Sequence, residues 1–363
     1  MAKKYLIVGQ GLAGSVLAQT FISANIQFQI IDDNHKTASS VVAVGIMHPI
    51  SFKRLILSWR ALEFIDAAKS FYQALEKQHT VSLLREMTIY RPLTSADEKS
   101  FWLSRMDEDD YKEVLGYEET INLNKIDTPF GVGTVNYGGQ LNTNSYLNII
   151  TDQLNSGGHL INATFNFEDL KVSEEGVSYG GNEYSDIVFC EGHQMIHNPF
   201  FNYLPHNCTQ GEVLAIKSAD LPLKWISRGC FFLPSEEDEN ILRVGSTYNW
   251  NCIDPTPTKE GKEELLKRIM KLGDINPPTV QEHQAGIRPT THDRRPYIGT
   301  HPEHNNVHIF NGMGSKTVML APFLAHHFTD YLQSKATLDQ EIDIFRCRKQ
   351  QFAKFGFYEA KKV

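Results

Sequence analysis

The segment that most constrains this chain is Gly9-Gln10-Gly11-Leu12-Ala13-Gly14, because of what stands on either side of it. The apolar run Tyr5-Leu6-Ile7-Val8 precedes it, and Leu17, Phe21 and Ala24 continue beyond it at helical spacing. Strand, glycine turn and helix in that order form a dinucleotide-binding fingerprint. The glycines permit a tight turn and close backbone approach to a pyrophosphate, which rests on the N–H groups and partial positive charge of the helix N-terminus. Phe28-Gln29-Ile30-Ile31-Asp32 reads as the next strand and Asp33 follows; Asp32 stands 18 residues after Gly14, near the spacing of the acid that hydrogen-bonds an adenosine ribose. NAD and FAD share the ADP half that such a loop binds, so the motif leaves both open. Its place ahead of a long two-layer chain favours FAD.

Composition narrows the class. A length of 363 residues predicts two domains, or one domain of interleaved segments, and 41% hydrophobic with 21% charged residues excludes fibrous and disordered chains. A net charge of -8 lacks the basic footprint of a dedicated nucleic-acid binder. Cys190, Cys208, Cys230, Cys252 and Cys347 are odd in number and include no CxxC pair, which argues against a disulfide framework or a zinc ribbon and for a reducing cytoplasm. Lys3 and Lys4 ahead of the apolar run to Ala24 have the look of a secretory signal, but cleavage there would remove the whole fingerprint. No uninterrupted apolar stretch is long enough for a transmembrane span. His193 and His197 are spaced i, i+4 without a third ligand, so no metal site is expected.

Further along, periodicity predicts a long amphipathic helix over 57–78 and helices at 144–154, 263–272 and through Leu320, Leu324, Phe328 and Leu332. Strand signals fall at 160–161, 186–190, 212–216, 231–233, 241–244 and 307–310. Residues 80–140, with short β-like runs, an acidic patch at Asp107 to Asp110 and a glycine-rich stretch from Gly131 to Gly139, read as a separate and less regular layer. Arg346, Arg348, Lys349, Lys354, Lys361 and Lys362 form the one concentrated basic stretch, read as a solvated face.

Four stretches carry a resemblance: the N-terminal fingerprint; Ser39-Ser40 with Gly45-Ile46-Met47-His48-Pro49; Arg288 to Gly299; and Asn311-Gly312-Met313-Gly314-Ser315-Lys316-Thr317 to Pro322. Together they resemble the D-amino acid oxidase superfamily of FAD-dependent amine oxidoreductases, glycine/sarcosine oxidases in particular. The Gly45–Pro49 and Gly312–Lys316 segments are similar as well to the oxidoreductase half of the bifunctional enzyme that modifies the wobble uridine of tRNA.

The resemblance implies an α/β fold, α+β overall, with a Rossmann-like FAD-binding domain of the glutathione-reductase type (1–79, 140–208 and 279–363) and an inserted β-sheet-based substrate domain (80–139 and 209–278). It implies noncovalent FAD, since no cysteine lies near Arg288 or Gly312 in sequence, held by Gly9, Gly11, Leu12, Ala13, Gly14, Asp32, Asp33, Ser39, Ser40, Gly45, Ile46, Met47, Gly192 and the loop Gly312, Met313, Gly314, Ser315, Lys316, Thr317. Arg288 would anchor a substrate carboxylate, a role its guanidinium fork suits; Tyr248 would line the substrate pocket and His48 would face the flavin. The expected reaction is oxidation of the C–N bond of a small amine or N-substituted amino acid by hydride transfer to flavin N5, followed by imine hydrolysis, with no obligatory catalytic base. The alternatives are the same chemistry on a tRNA-borne N-substituted glycine, disfavoured by the acidic balance, and a flavin-binding protein without turnover. Two departures stand out: Thr317 replaces a glycine common in the relatives, and Glu191 a small residue.

Overall fold

Lys4–Val8 has apolar side chains pointing to both faces, and Tyr5, Leu6, Ile7 and Val8 are all buried, as a central strand of a parallel sheet requires. In the computed structural model, which describes residues 3–35, 38–251 and 253–347, it pairs in parallel with Gln27–Asp32 on one side and Asp186–Phe189 on the other. The full order is Tyr297–Thr300, Val307–Asn311, Asp186–Phe189, Lys4–Val8, Gln27–Asp32, Leu160–Asn162, parallel except for the outermost Tyr297–Thr300. The helices Leu12–Ser23 and Thr317–Leu332 pack against each other, with Leu17, Phe21, Leu324 and Phe328 fully buried. Each such side chain contributes about 1.5–3 kcal/mol. A three-stranded meander, Leu170–Ser173, Gly176–Tyr179 and Asn182–Tyr184, adds Val177, Tyr179 and Tyr184 to the core around Phe189.

The chain divides into two units, and this sheet belongs to the first, which comprises 1–41, 144–209 and 288–363. The second comprises 42–143 and 210–287. Its larger sheet runs Thr279–Arg288, Thr209–Lys217, Leu242–Gly245, Cys230–Pro234, Trp225–Arg228, Leu84–Pro92, Val132–Leu141, Ile46–Met47, with Leu115–Glu118 also on Val132–Leu141. The mixed α/β architecture matches expectation, but the boundaries differ. Residues 42–79, expected with the nucleotide domain, fall in the second unit because Ile46–Met47 pairs with Gly139 and Gln140, and the helix Ala61–His79 lays its apolar face on Leu84–Pro92. Residues 140–143 and 279–287 fall there too, the latter in a ten-residue strand that the periodicity did not announce.

The layer expected to be irregular is regular. Val132–Leu141 is a continuous strand whose glycines admit close neighbours: a Cβ on Gly133 would stand 2.3 Å from the Trp102 ring, and one on Gly139 2.6 Å from the Met47 side chain. Trp102, on the helix Ala96–Met106, is buried and donates its indole N–H to the Gly116 carbonyl at 2.9 Å. Ser95 caps that helix through the Glu98 N–H at 3.1 Å.

No helix among the described residues is long and apolar enough to cross a membrane, and no group of three or more His, Cys, Asp or Glu residues there is arranged to hold a metal ion. His193 and His197 lie in a 3-10 turn, Gly192–His197, whose three-residue period puts them on different faces. Cys190, Cys208, Cys230 and Cys347 are free thiols; Cys252 and the basic positions 348–362 lie outside the described residues.

Candidate nucleotide and substrate site

The carboxyl ends of four adjacent strands of the first unit carry most of the expected cofactor residues. This is the edge at which open parallel sheets bind ligands. At the end of Lys4–Val8, Gly9 takes φ 95° and donates its N–H to Ile31 at 2.9 Å. A Cβ on Gly14 would stand 1.9 Å from the Gly9 carbonyl oxygen, so the loop closes on its helix only with glycine there. Gly11 is the helix N-cap and brings no capping side chain; the first turn carries no acid, and Leu12 donates its N–H to the Ser40 hydroxyl at 2.9 Å. Ser39 and Ser40 form the 3-10 turn that brings this hydroxyl to the loop. The result is an anion cradle of glycine backbone and uncontested helix dipole, with Ala13 on its first turn, and these residues fit the pyrophosphate of a dinucleotide.

Asp32 ends the next strand. Its carboxylate accepts the Gln10 N–H and the His35 N–H, each at 2.7 Å. Burial alone would raise its pKa, but those hydrogen bonds and the His35 ring outweigh it and hold the group below the usual carboxylate range. Asp33 is half-buried beside it. Gln10, which motif reading passes over, is buried and reaches from its N–H on Asp32 to a side-chain bond with Thr151 at 2.8 Å.

At the third strand end, Gly192 has φ 59° and its carbonyl accepts the Asn311 side-chain amide at 3.0 Å. Asn311 ends the fourth strand and also accepts the Gly312 N–H at 2.8 Å, so one buried amide joins two loops. Sequence reading missed its role, although Asn directly before Gly312 is a turn signal. Gly312 and Gly314 adopt positive φ; the 3-10 turn Gly314–Lys316, with Ser315 exposed, leads into the helix from Thr317. Thr317 donates its hydroxyl to the Gly314 carbonyl at 3.3 Å and so braces the loop. Burial, with Arg294 and Arg295 nearby, pushes the Lys316 ammonium down to about 8.

Arg288 is brought to this loop. It is half-buried at the end of Thr279–Arg288, and the next residues are fastened: Gly314 donates its N–H to Pro289 at 3.2 Å, and Thr290 bridges Met313. A cysteine distant in sequence comes near the residues that follow Arg288. Asn207 donates its N–H to the Thr290 carbonyl at 2.7 Å, and the neighbouring Cys208 thiol meets the Thr290 backbone, 82 residues away in sequence. Burial pushes that thiol up to about 11, which keeps it protonated and unreactive at neutral pH.

The remaining expected residues belong to the second unit. Gly45 has φ 72°, and a Cβ there would stand 1.8 Å from the Leu141 carbonyl oxygen; it leads into Ile46–Met47. The half-buried His48 ring lies against Phe52 at 5.4 Å and Trp225 at 6.0 Å. Tyr248 is 57% exposed and stacks on Trp250 in the loop after Leu242–Gly245.

A family model described as FAD dependent oxidoreductase matches residues 4–331. A glycine oxidase of Pseudomonas putida is 33% identical over 132 residues, 36% of this chain and 36% of that protein. A tRNA 5-methylaminomethyl-2-thiouridine biosynthesis bifunctional protein of Legionella pneumophila is 23% identical over 314 residues, 82% of this chain but 45% of its own length. The crystal structure of glycine oxidase from Geobacillus kaustophilus superposes with a TM-score of 0.75 at 20% identity, covering 93% of this chain and 97% of the other.

Proposed function

The chain belongs to the family of FAD-dependent oxidoreductases, and on that premise we propose that it oxidises the C–N bond of a small amine or N-substituted amino acid. The observation that supports this reading is the fastening of Pro289 and Thr290 to the Gly312–Lys316 loop, which brings the Arg288 backbone next to the expected flavin loop, where its guanidinium would match a substrate carboxylate. The chemistry FAD supplies when bound is acceptance of a hydride from the carbon that bears the substrate nitrogen.

This chain's residues bind and orient. Gly9, Gly11 and Gly14 would seat the pyrophosphate, Asp32 or Asp33 the adenosine ribose, and Arg288 the substrate carboxylate. The N–H groups of the Gly312–Lys316 loop beyond those given to Asn311, Pro289 and Met313, with the Lys316 cation, would stabilise negative charge at the pyrimidine edge of the flavin. A substrate that binds as neutral amine needs no proton removed, and release of the carbonyl product needs one water for hydrolysis of the imine.

An anaerobic titration tests the reading. The yellow holoprotein is mixed with glycine, sarcosine, proline and other N-substituted amino acids, and bleaching of the flavin band by one of them is the expected result. A second reading, in which the N-substituted glycine is carried on tRNA, draws support from the Legionella match, which covers 82% of this chain. Bound flavin that no small amine bleaches would displace the first reading in favour of this one.

A further inference from the structure

Glu191 lies two residues beyond the end of the buried strand Asp186–Phe189 at the nucleotide edge, with its backbone against the phosphate loop: a Cβ on Gly9 would stand 2.8 Å from the Cys190 carbonyl oxygen and 3.3 Å from Glu191 Cα. Its carboxylate accepts the Asn198 side-chain amide at 2.6 Å. Asn198 is fully buried, and its own oxygen is committed to the Phe200 N–H at 2.9 Å. Among the described residues Glu191 therefore meets one neutral donor and no cation, beside a cradle built for a doubly charged pyrophosphate.

We propose that Glu191 makes the grip on the flavin dinucleotide depend on pH, holding it firmly when the carboxyl is protonated and repelling its pyrophosphate when ionised. The inference rests on reading the Gly9–Gly14 loop as the FAD cradle. Burial, only partly offset by Asn198, pushes the Glu191 carboxyl up to about 7, so the change falls in an ordinary working range. The titratable groups around it do not counter the effect. Burial and Glu191 itself push the Cys190 thiol up, burial and His197 push the His193 ring down, and Asp32 across the loop is already ionised. Asn311, reaching in from the neighbouring strand, is neutral.

The sign follows from linkage. A pyrophosphate beside Glu191 raises its affinity for a proton, so protonation and binding favour each other, and the FAD dissociation constant rises with pH by up to about tenfold per pH unit between the free and bound pKa values. The experiment dilutes the holoprotein from pH 6 to 8.5 and reads released FAD by fluorescence, for wild type, Glu191→Gln and Glu191→Thr, with ADP and adenosine as competitors. The expected result is a pH-dependent dissociation constant in the wild type, an almost level one in both variants, and the same slope for ADP but not for adenosine. Equal slopes in wild type and variants, or a level wild type, overturn the proposal. If Glu191→Gln fails to fold, Glu191→Thr and the ADP–adenosine comparison on wild type still decide. A protein that holds no flavin at any pH overturns the cradle reading itself, a different outcome from a pH-independent grip.

Discussion

Asp186 and His308 meet at 3.0 Å on neighbouring parallel strands, both buried, at the sheet edge opposite the nucleotide loops. Burial pushes the His308 ring down, so it is neutral near pH 7, donating Nε2–H to Asp186 while Nδ1 accepts the Thr300 hydroxyl, which in turn meets Tyr331. Burial would raise the Asp186 carboxyl, but His308 and Lys3 outweigh it and hold it low. Asp186→Ala should cost about 3 kcal/mol, because it strands buried partners. Both shifts have the same sign in pH. The Asp186 contribution is present above the unfolded value near 4 and fades as pH falls through the lower folded one, while His308 takes up a proton more readily unfolded below about 6.5. Stability should therefore decline on acidification from about pH 6.5, and urea unfolding at several pH values checks it. Flavin binding at pH 7.5 should survive the substitution, since the network lies at the far edge.

Gly14→Ala should abolish flavin binding and compromise folding, because the methyl group would overlap the Gly9 carbonyl. Asp32→Ala is milder: it removes the acceptor for Gln10 and His35 and should weaken FAD by about 1–3 kcal/mol, roughly a 5- to 150-fold rise in dissociation constant. The ratio of flavin to protein after gel filtration separates the two.

That loop was readable because its information is local: strand, glycines, helix and acid fall within 32 residues. What could not be read depends on partners far away in sequence. Asn311 acts by reaching Gly192, 119 positions earlier, and Cys208 lies near Thr290 because of tertiary packing. Thr279–Arg288 escaped notice because its first half is polar and exposed, with no apolar alternation to report it. Gly131 to Gly139 misled for the opposite reason. Glycine is a poor strand former, yet here its missing side chains are filled by Trp102 and Met47 from other elements.

Arg288→Ala should leave the flavin spectrum unchanged while raising the apparent dissociation constant of a carboxylate-bearing substrate by at least roughly thirtyfold, the loss of about 2 kcal/mol. Arg288→Lys should recover only part of it, since an ammonium cannot offer two parallel N–H donors. Stopped-flow flavin reduction against substrate concentration measures both, and an unchanged value for Arg288→Ala would remove Arg288 from the substrate site.

Lys316 is charged below about pH 8 and neutral above it. If its cation supports negative charge on the flavin, the affinity for sulfite, whose addition places such charge there, should fall as pH rises through about 8, and Lys316→Met should lose that step while keeping bound FAD. Visible titrations with sulfite across pH 7 to 9 read it directly.

The first unit is assembled from 1–41, 144–209 and 288–363, and its sheet interleaves strands from all three. On the ribosome this imposes an order of events. The phosphate loop is made before Val307–Asn311, which flanks Asp186–Phe189 and is made only after both insertions have been synthesised. Cofactor capture is thereby deferred until Val307–Asn311 has been made. A chain arrested before 307 would hold an exposed apolar strand edge instead of a flavin, making it a substrate for chaperones and proteases rather than a partly active enzyme.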